Sequence, residues 1–434
     1  MTAIDFRALP ADSDSAARLA AQSLTYRVLD TADPVASESF QRATSRGFLG
    51  AEPTAEALRF GRPALEARRN VGVYDETMGA HARPVATIDS WVTPVSIPGG
   101  GTLPMWAISG VTVSATHRRR GIARALLEGE LRAAAAAGIP IAGLTVSEAT
   151  IYGRYGFGSA LPVARFAVDT RRAGWAGPLP EGSFEYIEAE TLAAELGAVH
   201  ENARESRPGQ IPGWKSRWEG MAGLSPSDSD RDKVRGVRYR DATGAVHGAM
   251  AFVVSERSGS FRFSLHVRLL VADTAEASAA LWQFALQHDL VDEVTADLRP
   301  IDDTLPWLVR DQRGVTQTVH DHGWLRILDV RTVLEERRYS APLDAVLQVE
   351  DALGFTAGSW RLLVDDQGRA TVSPAEGRAA DVELDVSALS VLYAGGVRAS
   401  TLHGAGRILG AAEAVSALDR AFVSFPAPSL DIWY

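Results

Sequence analysis

A long apolar strand over Pro104 to Val113 runs through an arginine-rich turn into a helix from about Arg119 to Ala137, ended by Gly138. A short buried strand follows over Ile141 to Val146. This strand–helix–strand passage restricts the fold more than any other stretch. Asn70 to Tyr74 and Val85 to Val95 read as strands ahead of it, and Pro98-Gly99-Gly100-Gly101 makes the turn that leads to Pro104. The order strand–strand–turn–strand–helix–strand predicts a mixed α/β layer fold, because each apolar sheet face needs a covering layer. Further upstream, helical spacing of apolar residues predicts a helix over Asp14 to Leu29 and a shorter one over Ser37 to Gly47.

At 434 residues the chain is too long for one ordinary core, and about 150 residues per domain suggests three domains. The second third repeats the element order loosely. Strands are expected over Val234 to Arg240, Ala245 to Ser255 and Ser260 to Leu270, then a helix over Ala275 to Gln287 and a strand over Glu293 to Leu298. It has no Gly/Arg phosphate loop between strand and helix, so it reads as a chemically silent counterpart of the first third. Arg171 to Pro180 reads as a connector and Ser225 to Asp230 as a solvated loop. In the last third, strands are expected over Trp324 to Val330, Ser359 to Asp365 and Ala370 to Ser373, with helices over Ser387 to Tyr393 and Ala411 to Ala421. The closing residues, Leu430-Asp431-Ile432-Trp433-Tyr434, end on two adjacent aromatics, which predicts a docked rather than a frayed terminus.

Composition removes several function classes. A formal net charge of −10 argues against a general nucleic-acid binder and mildly favours cationic partners. The absence of cysteine excludes disulfide frameworks, thiol nucleophiles and thiolate zinc sites. The first residues lack a signal-peptide core, and the longest apolar run, Ala133 to Val146, is cut by Gly138, Pro140 and Gly143. That run is shorter than the ~20 residues a membrane span needs, so a soluble, cytoplasmic protein with no membrane partner is expected. His320-Asp321-His322 offers three close ligands without a fourth; it reads as a polar connector, and no metal is expected.

Two segments carry chemistry. The first is Val111-Thr112-Val113-Ser114-Ala115-Thr116-His117-Arg118-Arg119-Arg120-Gly121-Ile122-Ala123. Arginines at a helix N-terminus oppose the helix dipole by about 0.3–1 kcal/mol each, a term whose sign a bound polyanion reverses. Gly121 allows close approach of the backbone to phosphate oxygens. The plain alternative is a solvated basic loop. The GxxxxGK[ST] spacing of a Walker loop is missing. The second segment is Ser147-Glu148-Ala149-Thr150-Ile151-Tyr152-Gly153-Arg154-Tyr155-Gly156-Phe157-Gly158, which taken alone reads as a glycine-rich turn whose aromatics fill core.

Together the two segments resemble the GNAT N-acetyltransferases. Arg118-x-x-Gly121-x-Ala123 matches their Q/R-x-x-G-x-G/A acyl-CoA loop, and Tyr152-x-x-x-Gly156-Phe157 matches their later Tyr-x-x-x-Gly-Phe element. These motifs, the WLRILDV segment from Trp324 and the three-part length are similar to the Eis (enhanced intracellular survival) acetyltransferases. The resemblance implies an α/β (α+β) chain of two tandem GNAT-like mixed-sheet domains and a C-terminal sterol-carrier-protein-like α+β domain, over residues 1–160, 161–320 and 321–434. It is specific over Val111 to Gly158 and more diffuse in the last third.

For individual residues the resemblance implies acetyl-CoA in the first domain. Val111 and Val113 offer strand backbone groups to the pantetheine arm. Arg118, Arg119, Gly121 and Ile122 hold the pyrophosphate, with Ser147 nearby and with His117 and Arg120 peripheral. Tyr152 matches the family's general acid; a phenol of pKa about 10 is a usable donor to a thiolate of pKa about 8.5. Tyr155, one turn later, is not the match. The base is the terminal carboxylate, here of Tyr434, with a backbone carbonyl or an internal carboxylate as alternatives. In the amine-binding wall Tyr26 stands where the family has an aspartate. Asp30, Asp33 and Glu38 are the acids that could substitute, or else solvated helix charges.

The implied reaction is N-acetylation of a primary amine on a cationic small molecule, aminoglycosides at several positions among them. Attack is direct in a ternary complex, since no cysteine can carry the acyl group. Protein lysines are the alternative acceptors. A rival reading makes the last third a non-catalytic ligand-binding module. A homo-oligomer, a hexamer, is implied by the resemblance alone.

Overall fold

The computed structural model describes residues 5–79, 83–257, 259 and 261–434. They form two compact units: one holds the chain up to Ala160, Gly323–Ser424 and Tyr434, the other Leu161–His322 and Phe425–Trp433.

The first unit opens with helix α1 (Ser13–Ala20), capped by the Asp12 carboxylate accepting from Ser15 N–H at 2.8 Å. The helix expected over Asp14 to Leu29 stops at Ala20, and Leu24–Val28 is strand β1 instead. Ser23, at φ 59°, turns the chain between them, and the buried residues Leu24 and Tyr26 alternate with more exposed ones, a period of two. Next come α2 (Pro34–Gly47) and α3 (Ala55–Glu66), the latter not anticipated, then β2 (Arg69–Asp75), β3 (Ala86–Ser96) and β4 (Thr102–Val113). Helix α4 spans Ile122–Ala136 and leads to β5 (Ile141–Thr145).

Strands β1 to β4 pair antiparallel in sequence order, β4 and β5 pair parallel, and residues 323–327 pair antiparallel with β5. Ile122, Leu126, Leu127 and Leu131 of α4 pack on Val71, Ile88, Trp106 and Ile108 of the sheet, all essentially buried. Under that layer Arg69 pairs with Glu130 at 3.2 Å, both side chains out of solvent. Its guanidinium also donates to the Leu9 carbonyl and, at 2.9 Å, to that of Pro10.

After the short helix α5 (Ala149–Tyr152), strand β6 (Gly158–Asp169) enters the second unit, followed by α6 (Thr170–Ala173) within the expected connector. Strand β7 (Ser183–Ile187), α7 (Ala189–Arg204), α8 (Lys215–Met221), β8 (Val234–Arg240), β9 (Val246–Arg257), β10 (Arg262–Ala272), α9 (Ala275–Leu286) and β11 (Val291–Arg299) complete it. Ser260, the expected start of the third of these strands, lies outside the described residues. Pairing is antiparallel from β7 to β10, parallel between β10 and β11, and antiparallel between β11 and β6. This is the sheet pattern of the first unit repeated.

Strand β12 (Val315–Ile327) begins well before the expected Trp324. His320-Asp321-His322 therefore lies in a strand rather than a connector. His322 is buried there, its Nε2 3.0 Å from the Ile432 carbonyl and its ring 4.8 Å from that of Trp433. The terminal tail is anchored in the same unit by Asp431, which lies 3.2 Å from His200 and whose carbonyl accepts from Arg217 at 2.7 Å.

Returning to the first unit, α10 (Val330–Glu336), β13 (Leu343–Glu350), β14 (Gly358–Val364), β15 (Ala370–Pro374), β16 (Val382–Asp385), α11 (Val386–Ala394), α12 (Ala399–Gly404), β17 (Ile408–Gly410) and α13 (Ala412–Phe422) build a separate sheet. Its strand order is β15-β14-β13-β16-β17. Among the described residues no helix is long and apolar enough to cross a membrane.

Candidate active site

The site begins where two parallel strands separate. β4 pairs with β5 from Met105 opposite Ile141 to Ile108 opposite Leu144, and there the pairing stops. β4 continues to Val113 on its β3 side only, across a register shift at Thr87/Asp89, with Gly110 at φ 62°. The backbone of Val111 and Val113 is therefore free of β5, and a cleft of about 800 Å³ opens beside it.

Two side chains, His117 and Arg120, tie the loop from Ser114 to Gly121 to its surroundings, and neither tie uses Arg118 or Arg119. His117 Nε2 lies 3.0 Å from Asp75 Oδ2, and its Nδ1 2.8 Å from the Thr116 hydroxyl. The hydrogen bond from His117, helped by Thr77, holds the Asp75 carboxyl down at about 2. Arg120 donates to the Gln22 carbonyl at 3.0 Å, and Gln22 Nε2 donates back to the Arg120 carbonyl at 3.1 Å. Arg118 and Arg119 are exposed, line the cleft, and have no side-chain partner among the described residues.

Arg119 adopts φ 60° and Gly121 φ 76°, so the helix starts at Ile122 rather than at Arg119. The arginines thus precede the helix instead of forming its first turn. A Cβ at Gly121 would meet nothing within 4 Å, so glycine is favoured there by the left-handed backbone and not by space. α4 has neither a side-chain cap nor an acid in its first turn. Its leading N–H groups and two unpaired guanidiniums form a donor set of the kind that suits phosphate oxygens.

The opposite wall comes from the segment after β5. Ser147 is exposed at the cleft, and Tyr152 lies on α5 with 6% of its surface exposed. Burial, then the charge of Glu148, raises the Tyr152 phenol above its ordinary value, so it stays protonated at neutral pH. Its ring meets Phe157 edge-on at 6.3 Å, and its hydroxyl makes no hydrogen bond among the described residues. Tyr155 also lines the cleft.

The cleft therefore brings together Val111, Val113, Arg118, Arg119, Gly121, Ile122, Ser147 and Tyr152. Tyr434 is placed at the end of β5, not in the cleft wall. Its N–H donates to the Thr145 hydroxyl at 3.2 Å and an oxygen of its carboxylate accepts from the same hydroxyl. Its ring packs edge-on against Trp91 at 5.1 Å. Residues of the expected amine wall fall elsewhere. Tyr26 is buried under α4 against Gly129 with its hydroxyl unpartnered. Asp33 caps α2 through Val35 N–H at 2.9 Å, Asp30 accepts from Ala32 N–H at 3.0 Å, and Glu38 faces Arg42 at 3.8 Å. These acids have the local helix-end and surface roles that their positions in sequence made the alternative.

The sequence reading missed Phe48 and the pair Ala352 and Leu353, which also line the cleft. Phe48 had a signal, since it follows the helix expected to end at Gly47. A Cβ on Gly47 would lie 2.3 Å from Thr112, so glycine lets α2 close onto β4 and sets Phe48 at the opening. Ala352 and Leu353 had none.

Residues 30–160 and 212–327 match acetyltransferase (GNAT) domains, and residues 330–431 match a sterol carrier protein domain. An uncharacterized N-acetyltransferase of Streptomyces avermitilis is 34% identical over 87% of this chain and 92% of its own length. The N-acetyltransferase Eis of Mycobacterium tuberculosis is 32% identical over 76% of this chain and 81% of its own. The crystal structure of Eis1 from Mycobacterium abscessus superposes with a TM-score of 0.79 at 28% identity, covering 95% of this chain and all of that one.

Proposed function

The chain belongs to the Eis family of GNAT N-acetyltransferases, and from that premise we propose that it acetylates primary amines of cationic small molecules, aminoglycosides at several positions among them. The observation that carries this reading is the cleft between the separated ends of β4 and β5, with its unpaired arginines on one side and Tyr152 on the other.

Acetyl-CoA supplies the acetyl group and a thiol leaving group. The backbone at Val111 and Val113 binds the pantetheine arm in place of the strand partner that β5 no longer provides. Arg118, Arg119 and the N–H groups from Gly121 and Ile122 bind the pyrophosphate, and Ser147 borders the path. Tyr152 keeps its phenolic proton and delivers it to the departing sulfur, an acid role of the kind worth about 10²- to 10⁴-fold. The Tyr434 carboxylate, held beside Thr145, takes the proton from the attacking amine. With no cysteine in the chain, attack is direct in a ternary complex. The enzyme works in the cytoplasm as a homo-oligomer, a hexamer.

Free-thiol release from acetyl-CoA tests this cleanly, since the protein adds no thiol of its own. A panel of aminoglycosides, polyamines and lysine peptides separates the acceptor classes. Tyr152→Phe is expected to lower kcat by about 10²-fold or more while acetyl-CoA still binds. Deleting Tyr434 is expected to lower kcat with binding likewise retained. Thiol release from lysine peptides alone would move the substrate class to proteins. No release with any amine, and no acetyl-CoA binding, would end the reading.

A further inference from the structure

The turn that carries Tyr152 is held from behind by groups outside the cleft. Arg326, near the end of β12, is fully buried. Its Nε donates to the Tyr155 carbonyl at 2.8 Å, its Nη2 to Asp351 Oδ1 at 2.6 Å, and its Nη1 to the Ile327 carbonyl at 2.5 Å. Asp351 in turn gathers its own loop. Oδ1 accepts from Leu353 N–H at 3.0 Å, and Oδ2 from the N–H and hydroxyl of Thr356, both at 2.9 Å. Ala352 and Leu353 in that loop are the residues that wall the cleft. Gly156 admits the guanidinium: it sits at φ 84°, and a Cβ there would lie 2.5 Å from Arg326 Nε. The Ser387 hydroxyl completes the hold by donating to the Phe157 carbonyl at 2.8 Å.

Stability alone does not account for this arrangement. A buried ion pair loses so much hydration that two well-packed apolar side chains often serve equally well. Two apolar side chains cannot, however, fix two acceptors relative to each other. A planar guanidinium with a rigid fork of donors does so, and lysine does not. Here one acceptor belongs to the turn of Tyr152 and the other to the loop of the cleft wall.

We propose that Arg326 is a positioning residue for acetyl transfer: it locks the Tyr152–Phe157 turn to the Asp351–Thr356 loop, so that the sterol-carrier-like domain sets where the acid stands in the cleft. The inference rests on Tyr152 being the proton donor. A displacement of about 1 Å at a reacting group costs on the order of 10²-fold in rate, so a modest slip of the turn is measurable.

The test is steady-state thiol release by the full-length protein, with an aminoglycoside acceptor, for Arg326→Lys and for the double variant Arg326→Met with Asp351→Leu. Each is made alone and together with Tyr152→Phe. The double variant removes both charges at once, so no buried charge is left unpaired. It is expected to fold but to melt below the wild type, because the carbonyls and N–H groups that Arg326 and Asp351 served lose their partners. Arg326→Lys keeps a cation opposite Asp351 without reaching both acceptors, and carries the test if the double variant does not fold. Both are expected to lose at least about tenfold in kcat. In the Tyr152→Phe background neither is expected to lower kcat further, because the group being positioned is gone. Losses that multiply in that background, or a folded variant with wild-type kcat, would overturn the proposal. If Tyr152→Phe itself kept wild-type kcat, the proton-donor reading would fall and this inference with it. A collapsed Tyr152→Phe beside an unaffected double variant removes Arg326 alone.

Discussion

In the first GNAT domain β4 and β5 part beyond Ile108 and Leu144, and the loop Ser114–Gly121 leads into α4. In the second, β10 and β11 part beyond Val267 and Ala296, and Asp273-Thr274 alone leads into α9. The sheets are alike, and what differs is the state of the donors at the gap. α4 starts on Gly121 with no side-chain cap and no acid in its first turn, whereas α9 is capped by Thr274 and carries Glu276 there. Arg118 and Arg119 have no partners among the described residues. Around the second gap Arg204 pairs with Glu201 at 2.7 Å, Arg207 with Asp302 at 2.6 Å and Arg299 with Asp303 at 2.7 Å. The gap itself narrows from about 800 to about 250 Å³. One backbone arrangement thus carries unpaired donors in the first domain and a self-neutralised polar pocket in the second, according to whether its own acids have already satisfied those donors.

The comparison breaks most readily on acetyl-CoA affinity. Removing Arg118 and Arg119 together by alanine is expected to weaken binding by about 10²-fold, since each charge-assisted hydrogen bond is worth about 1.5–3 kcal/mol. Arg207→Ala in the second domain is expected to leave the same affinity unchanged. Calorimetric titration of both reads the contrast, and a strong loss with Arg207→Ala would show that the second domain is not silent.

The helix starts offer a finer test. Thr274→Ala should destabilise α9 by about 1 kcal/mol through loss of its cap, without effect on acetyl-CoA binding. Gly121→Ala should cost a similar amount, about 1 kcal/mol or more, by forcing a side chain into the left-handed region, and should also weaken binding. Thermal melts with and without acetyl-CoA distinguish the two: only the second variant loses part of the cosubstrate-induced rise in Tm.

The smallest effect concerns the anchor of the arginine loop. Asp75 is held down at about 2 by His117, so its contribution is fully present above the usual carboxylate range and is lost as pH falls through that value. Between pH ~4 and pH ~2 the stability advantage of wild type over Asp75→Asn should therefore fall away. An advantage unchanged between pH ~4 and pH ~2 would show that the bond to His117 does not anchor the loop.

The first domain was largely legible because its evidence is contiguous. Strand, arginine loop, helix and Tyr152 follow one another from Val111 to Phe157, and the spacing of Arg118, Gly121 and Tyr152 needs no distant partner to be read. The repeated element order of the second domain was legible for the same reason. Errors came where local signals competed. Leu24–Val28 continues an apolar helical spacing, and only its pairing with β2 shows that it is a strand. The strand from Val315 was hidden by polar residues at 316–318 and 320–322 that suggested a loop, and β12 nevertheless begins there.

Charge state and enclosure were not legible at all. Nothing in the string His117-Arg118-Arg119-Arg120 says which arginines are free; Gln22 and Asp75 decide it by engaging Arg120 and His117 through space. Likewise nothing near Tyr152 points to Arg326, Asp351 or Leu353. The sequence alone determined the family and with it the acetyltransferase class, because the arginine loop and the Tyr152 segment are local patterns. The tertiary structure alone decided which of those donors remain unpaired, what walls the cleft and where Tyr434 comes to rest. Pairing and enclosure depend on residues far along the chain, and only folding brings them within hydrogen-bond reach.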